Sequence, residues 1–186
     1  MSPVQKRRLA WAIGVACAIV VGGAIVAPFF RSTQGVAPAG PAGLAGQPAA
    51  VIAMRDEAGK PVSLAQYRGR VVVMNLWASW CPPCRVEMPE LQRFADAYAG
   101  RGVVTIGVNQ GESAARAQAF ARALDIHFPI WLDERQQYGR AYTALGLPTT
   151  VVVGRDGTVV TGFDGPLTYE QIRAAVARAL APGPAR

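Results

Sequence analysis

Beyond Ala50 the 186-residue sequence predicts an α/β fold, a sheet covered by helices. Two observations carry this. Short runs rich in β-branched and aromatic residues alternate with longer segments whose apolar residues recur at helical spacing, and turn and capping signals fall at the joints. Arg70 to Trp77, RVVVMNLW, reads as a buried strand, and so does Val103 to Val108. Thr149 to Val153 is a third, after which Asp156-Gly157 turns the chain into a hairpin partner at Thr158 to Thr161. Helices fill the intervals. After Cys81 one helical face collects Leu91, Phe94, Ala95 and Tyr98, and the next helix collects Ala117, Phe120, Ala121 and Leu124. Near the C-terminus Thr168 and Gln171 form a capping box ahead of Ile172, Ala175, Val176, Ala179 and Leu180. All these stripes read as core.

The first 50 residues differ in kind. From Leu9 to Phe30 the chain is uncharged, and its 22 residues as a helix would extend roughly 33 Å against a hydrocarbon core of roughly 30 Å. Lys6, Arg7 and Arg8 precede the run and Arg31 follows it, which predicts a single-pass signal anchor with its N-terminus inside the bacterial cytoplasmic membrane. The small-residue stretch Ala37-Pro38-Ala39 would suit a cleaved signal peptide, but the run is longer than the usual signal core of about 7 to 15 residues, which favours an uncleaved anchor. Either reading places the remainder in the periplasm or outside the cell membrane. The expected organisation is thus a basic cytoplasmic N-terminus at 1–8, the anchor at 9–30, an Ala/Gly/Pro-rich tether at 31–50, one domain at 51–181 and a tail at 182–186.

Of the formal charge of +7, residues 1–50 supply +4, from four basic and no acidic residues. Residues 51–186 supply +3, from fifteen basic and twelve acidic residues. Arginines interleave with acids and no long like-charge run occurs, so the composition argues against a nucleic-acid partner.

The chemistry is concentrated in SWCPPCR, Ser79 to Arg85, which holds two of the three cysteines. A C-x-x-C pair serves in zinc sites, in c-type haem attachment or in dithiol exchange. Haem attachment wants histidine after the second cysteine, where Arg85 stands. A structural zinc site wants about four ligands, and outside the apolar run the chain offers only Cys81, Cys84 and His127. Cys17 lies within that run and reads as packing, and His127, beside a strand-like segment, reads as structural. Dithiol exchange suits the local pattern. Cys81 falls where a helix begins, so the unpaired N–H groups of the first turn favour its thiolate. First cysteines of such motifs titrate at about 3.5 to 7 instead of about 8.5. An exposed Cys81 would attack a partner's disulfide, and Cys84, one turn on, would resolve the mixed disulfide. Pro82 and Pro83 fit the first turn, whose N–H groups have no helical partner. Arg85 either adds positive potential near Cys81 or is a surface arginine. A purely structural disulfide is the alternative within this chemistry. Outside it stand a Cu(I) metallochaperone holding metal between the two sulfurs and a thiol peroxidase, whose arginine and threonine arrangement is not evident around Cys81.

Together, NLWASWCPPCRVEMPEL, from Asn75 to Leu91, and GLPTT, from Gly146 to Thr150, resemble the membrane-anchored thioredoxin-like oxidoreductases of the TlpA/ResA type, with the likeness covering roughly Ala50 to Ala181. The resemblance implies a thioredoxin fold, a central mixed sheet flanked by helices with an additional strand–helix insert. It further implies a cis Pro148 beside the cysteine pair, shaping with Leu147 the groove for a partner's chain. Trp80 would line that groove or else pack in the core. Glu87 matches an acidic residue that modulates the thiols, or is a solvated helix carboxylate. Asn75 departs from the cytosolic pattern, which has a buried aspartate there. No cofactor is implied beyond the Cys81–Cys84 disulfide. Implied partners are protein dithiols and disulfides, as in cytochrome c or copper-centre maturation, and a membrane electron donor of thiol type. The spacing itself leaves oxidase, reductase and isomerase open, since such pairs span about −270 to −120 mV; the resemblance implies a reductase.

Overall fold

The computed structural model describes residues 40–181. Seven strands form one sheet: β1 (Met54–Asp56), β2 (Pro61–Val62), β3 (Val71–Trp77), β4 (Val103–Gln110), β5 (Ile130–Asp133), β6 (Thr149–Val153) and β7 (Val159–Asp164), in the spatial order β2-β1-β5-β4-β3-β6-β7. The four helices among the described residues are α1 (Pro82–Tyr98), α2 (Ala114–Ala123), α3 (Gln137–Ala141) and α4 (Tyr169–Leu180). β3, β4 and β5 run parallel, whereas β6 lies antiparallel to β3, and β7 to β6. This is the mixed sheet of a thioredoxin fold.

Side chains alternate across β3. Val71, Val73 and Trp77 enter a core with Met88, Leu91 and Phe94 of α1, Phe120 of α2 and Ile172 of α4, while Val72, Met74 and Leu76 enter a second core with Trp131, Tyr138 and Tyr142. By that alternation Asn75 points toward the α1 face, and so does Asn109 on β4, which pairs with Trp77. Two polar side chains thus lie under the helix that carries the cysteines. The capping box closes α4 as the sequence predicts, with Gln171 N donating to Thr168 Oγ1 and Thr168 N to Gln171 Oε1. The hairpin strand runs over Val159–Asp164, further than the expected Thr158 to Thr161.

The anchor expected at 9–30 and the tail at 182–186 lie outside the described residues, and among the described ones no helix is long and apolar enough to cross a membrane. The tether expected at 31–50 requires correction over its second half. Pro41–Leu44 forms a 3₁₀ turn, Pro41 and Ala49 are buried, and the segment hydrogen-bonds along the outer edge of β7. Gly46 N donates to Val159 O at 2.8 Å, Val159 N to Gln47 O at 2.8 Å and Ala49 N to Gly157 O at 2.9 Å. Among the described residues the packed fold accordingly starts at Gly40, not at residue 51. Composition misleads here because the segment is held by backbone bonds to an otherwise open strand edge, which need no apolar side chains.

Candidate active site

β3 ends at Trp77, and a short loop delivers Cys81 as the N-cap of α1, with Pro82 and Pro83 in the first turn. Cys81 and Cys84 form a disulfide with their Cα atoms 5.3 Å apart, and Cys84 N donates to Cys81 Sγ at 3.2 Å. Pro82 and Pro83 have no N–H to offer, so one N–H of the first turn, that of Cys84, addresses the first sulfur. Its exposure differs from expectation. In this disulfide form Cys81 is only 3% exposed and Cys84 0%.

The Leu147–Pro148 peptide bond is cis, as the resemblance implies. Thr149, which follows it, pairs with Leu76 near the end of β3, so this turn and the Cys81 loop occupy the same end of the sheet. Trp80 is 64% exposed, which removes the core reading. Together with Leu147, Leu145 and Arg140 it lines an open cleft of about 420 Å³. Arg85 stacks over the Phe120 ring at 4.9 Å, and His127 pairs with Asp125 on the surface at 3.1 Å.

Glu87 is no solvated helix carboxylate. It lies one turn beyond Cys84 on α1, is 1% exposed, and receives Asn75 Nδ2 at 2.8 Å and Leu167 N at 2.9 Å. Burial pushes its carboxyl up to about 7, against the opposing pull of these two donors and of the Thr150 hydroxyl. Asn75 also donates to Thr150 Oγ1 at 2.9 Å. The buried acid that Asn75 lacks is thus supplied from α1, one helical turn past Cys84.

A second carboxylate was missed by the sequence reading. Glu112, 7% exposed, accepts from Ser79 N at 2.7 Å, Ser79 Oγ at 2.6 Å and Asn109 Nδ2 at 2.7 Å, and so ties down the loop carrying Trp80 and Cys81. Burial pushes its carboxyl up, but the bonds from Ser79 and Asn109, with Arg116 nearby, outweigh that and hold it below the usual carboxylate value. The available signal was its place just past the C-terminal end of a central strand, where α/β folds gather functional groups.

A Cys-x-x-Cys disulfide capping the first helix of a thioredoxin fold, with its preceding tryptophan sharing a cleft with a cis-proline turn, defines a thioredoxin-like thiol-disulfide oxidoreductase. The chain belongs to the AhpC/TSA family, whose model matches residues 45–161. It is similar to thiol-disulfide oxidoreductase ResA of Geobacillus kaustophilus, 31% identical over 172 residues covering 92% of this chain and 95% of that protein. It also matches sporulation thiol-disulfide oxidoreductase A of Bacillus subtilis, 33% identical over 132 residues, 68% of this chain and 79% of the relative. Among solved structures, the crystal structure of StoA from Bacillus subtilis superposes with a TM-score of 0.60 at 29% identity over 68% of this chain and 96% of that one. A putative thiol:disulfide interchange protein DsbE from Chlorobium tepidum gives 0.68 at 26% identity, over 77% and 99%.

Proposed function

We propose that this protein is an exported, membrane-tethered reductase of disulfides in specific extracytoplasmic proteins, of the kind needed in cytochrome c or copper-centre maturation. The observation that carries the reading is the Cys81–Cys84 disulfide at the helix N-terminus, with Trp80 and Leu147 on one cleft. In the dithiol state the Cys81 thiolate attacks one sulfur of the partner's disulfide, and the partner's other sulfur leaves as a thiolate. Cys84, deprotonated, then attacks the Cys81 sulfur, which forms the intramolecular disulfide and releases the partner's remaining sulfur as a thiolate. Two electrons pass to the partner, whose two thiolates are protonated from solvent, and a thiol donor in the membrane restores the dithiol. Glu87, one helical turn from Cys84 and buried, accepts the Cys84 proton in this scheme. The cis Leu147–Pro148 turn presents backbone to the partner's chain.

Replacing each cysteine tests the assignment. Cys81→Ser abolishes protein-disulfide turnover, whereas Cys84→Ser accumulates a mixed disulfide through Cys81 that is visible on non-reducing gels. Turnover retained by Cys81→Ser refutes the reading. Equilibration against glutathione fixes direction: a potential near the thioredoxin end, about −270 mV, supports a reductase, and one near about −120 mV makes the protein a disulfide donor.

A further inference from the structure

The turn that carries Pro148 is held from outside by a single side chain. Asp164, the last residue of β7, accepts from Leu145 N at 3.2 Å through Oδ1, and the same oxygen lies 2.7 Å from Thr149 Oγ1. Gly165 N adds a bond to Pro148 O at 2.8 Å. Leu145 and Thr149 bracket the cis Leu147–Pro148 bond, so one carboxylate oxygen lies against both feet of the turn, bonded by Leu145 N and sharing the single Thr149 hydroxyl proton with Gly146 O, which is also 2.7 Å away. The other oxygen, Oδ2, faces Gly40, where an added Cβ would collide with it and would also lie 3.6 Å from Leu145 Cγ. Gly40 has φ 80°, a left-handed backbone that glycine adopts without strain. The strap of residues 40–49 then continues down the β7 edge through Pro41, which packs so closely on Gly162 that a Cβ there would stand 2.8 Å from the Pro41 carbonyl carbon. Strap, Asp164 and turn are therefore in continuous contact, and the turn residues Leu145, Gly146 and Leu147 line the cleft beside Trp80.

We propose that Asp164 is a positioning residue for protein-disulfide substrates, and that the strap at 40–49 sets the geometry of the Pro148 turn through it. The inference rests on the reductase reading above, since a small disulfide needs only the two sulfurs whereas a protein chain must also dock on the turn. Misplacing the turn by a fraction of an ångström weakens docking without touching the sulfur chemistry.

The test uses the full chain in detergent micelles, reduced and supplied with an insulin-like protein disulfide. Asp164→Ala raises KM about fivefold, the loss of the Leu145 bond and of the Asp164 share in the Thr149 hydroxyl, and leaves kcat and the rate of Cys81 alkylation by iodoacetamide at parent values. Asp164→Asn keeps an Oδ1 acceptor and restores KM. Gly162→Ala, which pushes Pro41 off the β7 edge, reproduces the KM rise and accelerates amide exchange at Gly46, Ala49 and Val159 and, through Asp164, at Leu145. A parent-like KM in Asp164→Ala overturns the proposal, as does a Gly162→Ala variant whose strap amides exchange faster while Leu145 does not. Unchanged exchange at the strap amides overturns it too. If the parent reduces no protein disulfide the reductase reading fails instead, and Leu145 exchange still decides whether strap and turn are coupled.

Discussion

Two buried glutamates flank the start of the cysteine-bearing helix, and they are built alike. Glu87 on α1 receives Asn75 Nδ2 from β3, and Glu112, just beyond β4, receives Asn109 Nδ2. Both asparagines leave their own Oδ1 without a protein partner. Yet burial lifts Glu87 to about 7, while Glu112 is held below the ordinary carboxylate value. The difference lies first in depth: Glu87 is the more deeply buried of the two, and desolvation outweighs the bonds it receives from Asn75, Leu167 N and the Thr150 hydroxyl. Glu112 lies nearer solvent, and the N–H and hydroxyl of Ser79, the Asn109 amide and the Arg116 guanidinium at 3.9 Å together outweigh its smaller desolvation. A shallower site and a cation reverse the balance between desolvation and hydrogen bonding. A shared scaffold thereby yields a carboxyl raised toward neutrality one helical turn from Cys84 and a fixed anion that anchors the Cys81 loop.

If this division is right, the largest effect comes from deleting the anchor. Glu112→Ala strands the buried Asn109 amide and the half-buried Ser79 amide and hydroxyl, and should cost about 4 kcal/mol in denaturant unfolding of the domain. A loss under about 1 kcal/mol would mean the loop holds itself and the two glutamates do not differ in role. Next is the pH dependence contributed by Glu87. Its folded value, about 7, exceeds the reference value of 4.5, so between these the folded state binds the extra proton and stability falls as pH rises. The contribution, on the order of 3 kcal/mol, is complete below about 4.5 and is lost as pH passes through about 7. Glu112 acts with the opposite sign and elsewhere: its stabilisation is present above 4.5 and is lost as pH falls through its lower folded value. Unfolding measured between pH 5 and 8 should therefore show a downward slope in the parent that Glu87→Gln removes.

How much of this was legible follows from how local each signal is. Cys81-Pro82-Pro83-Cys84 and the Thr168/Gln171 capping box lie within one turn of helix, and the structure finds both where the sequence puts them. The strands read from β-branched runs appear because β3, β4 and β6 are buried on both faces. What failed was either too short or held by distant atoms. β1 and β2 have three and two residues, and α3 has five, too few for any periodicity to register. The strap at 40–49 is fastened by backbone bonds to a strand more than a hundred positions away, and nothing in its Ala/Gly/Pro composition records that partner. Glu87 and Glu112 look in sequence like any helix-flanking acid, and their burial depends on Leu167, Ser79 and the two asparagines arriving from other elements.

The smallest effect separates the two causes that lower Glu112. Arg116 sits 3.9 Å from the carboxylate, at the far limit of an ion pair, and its side chain is 67% exposed. Water screens most of such an attraction, so Arg116→Ala should change stability by no more than about 0.5 kcal/mol. The Ser79 and Asn109 bonds, at 2.6 to 2.7 Å, are shorter, buried or half-buried, and directed at the carboxylate oxygens. If they hold Glu112 ionised, its carbonyl resonance followed by NMR titration in Arg116→Ala should remain that of a carboxylate down to the same acidic range as in the parent. A carboxyl that instead titrates near or above 4.5 would assign the anion to the arginine, and the contrast with Glu87 would then rest on one exposed cation and not on the loop that carries Cys81.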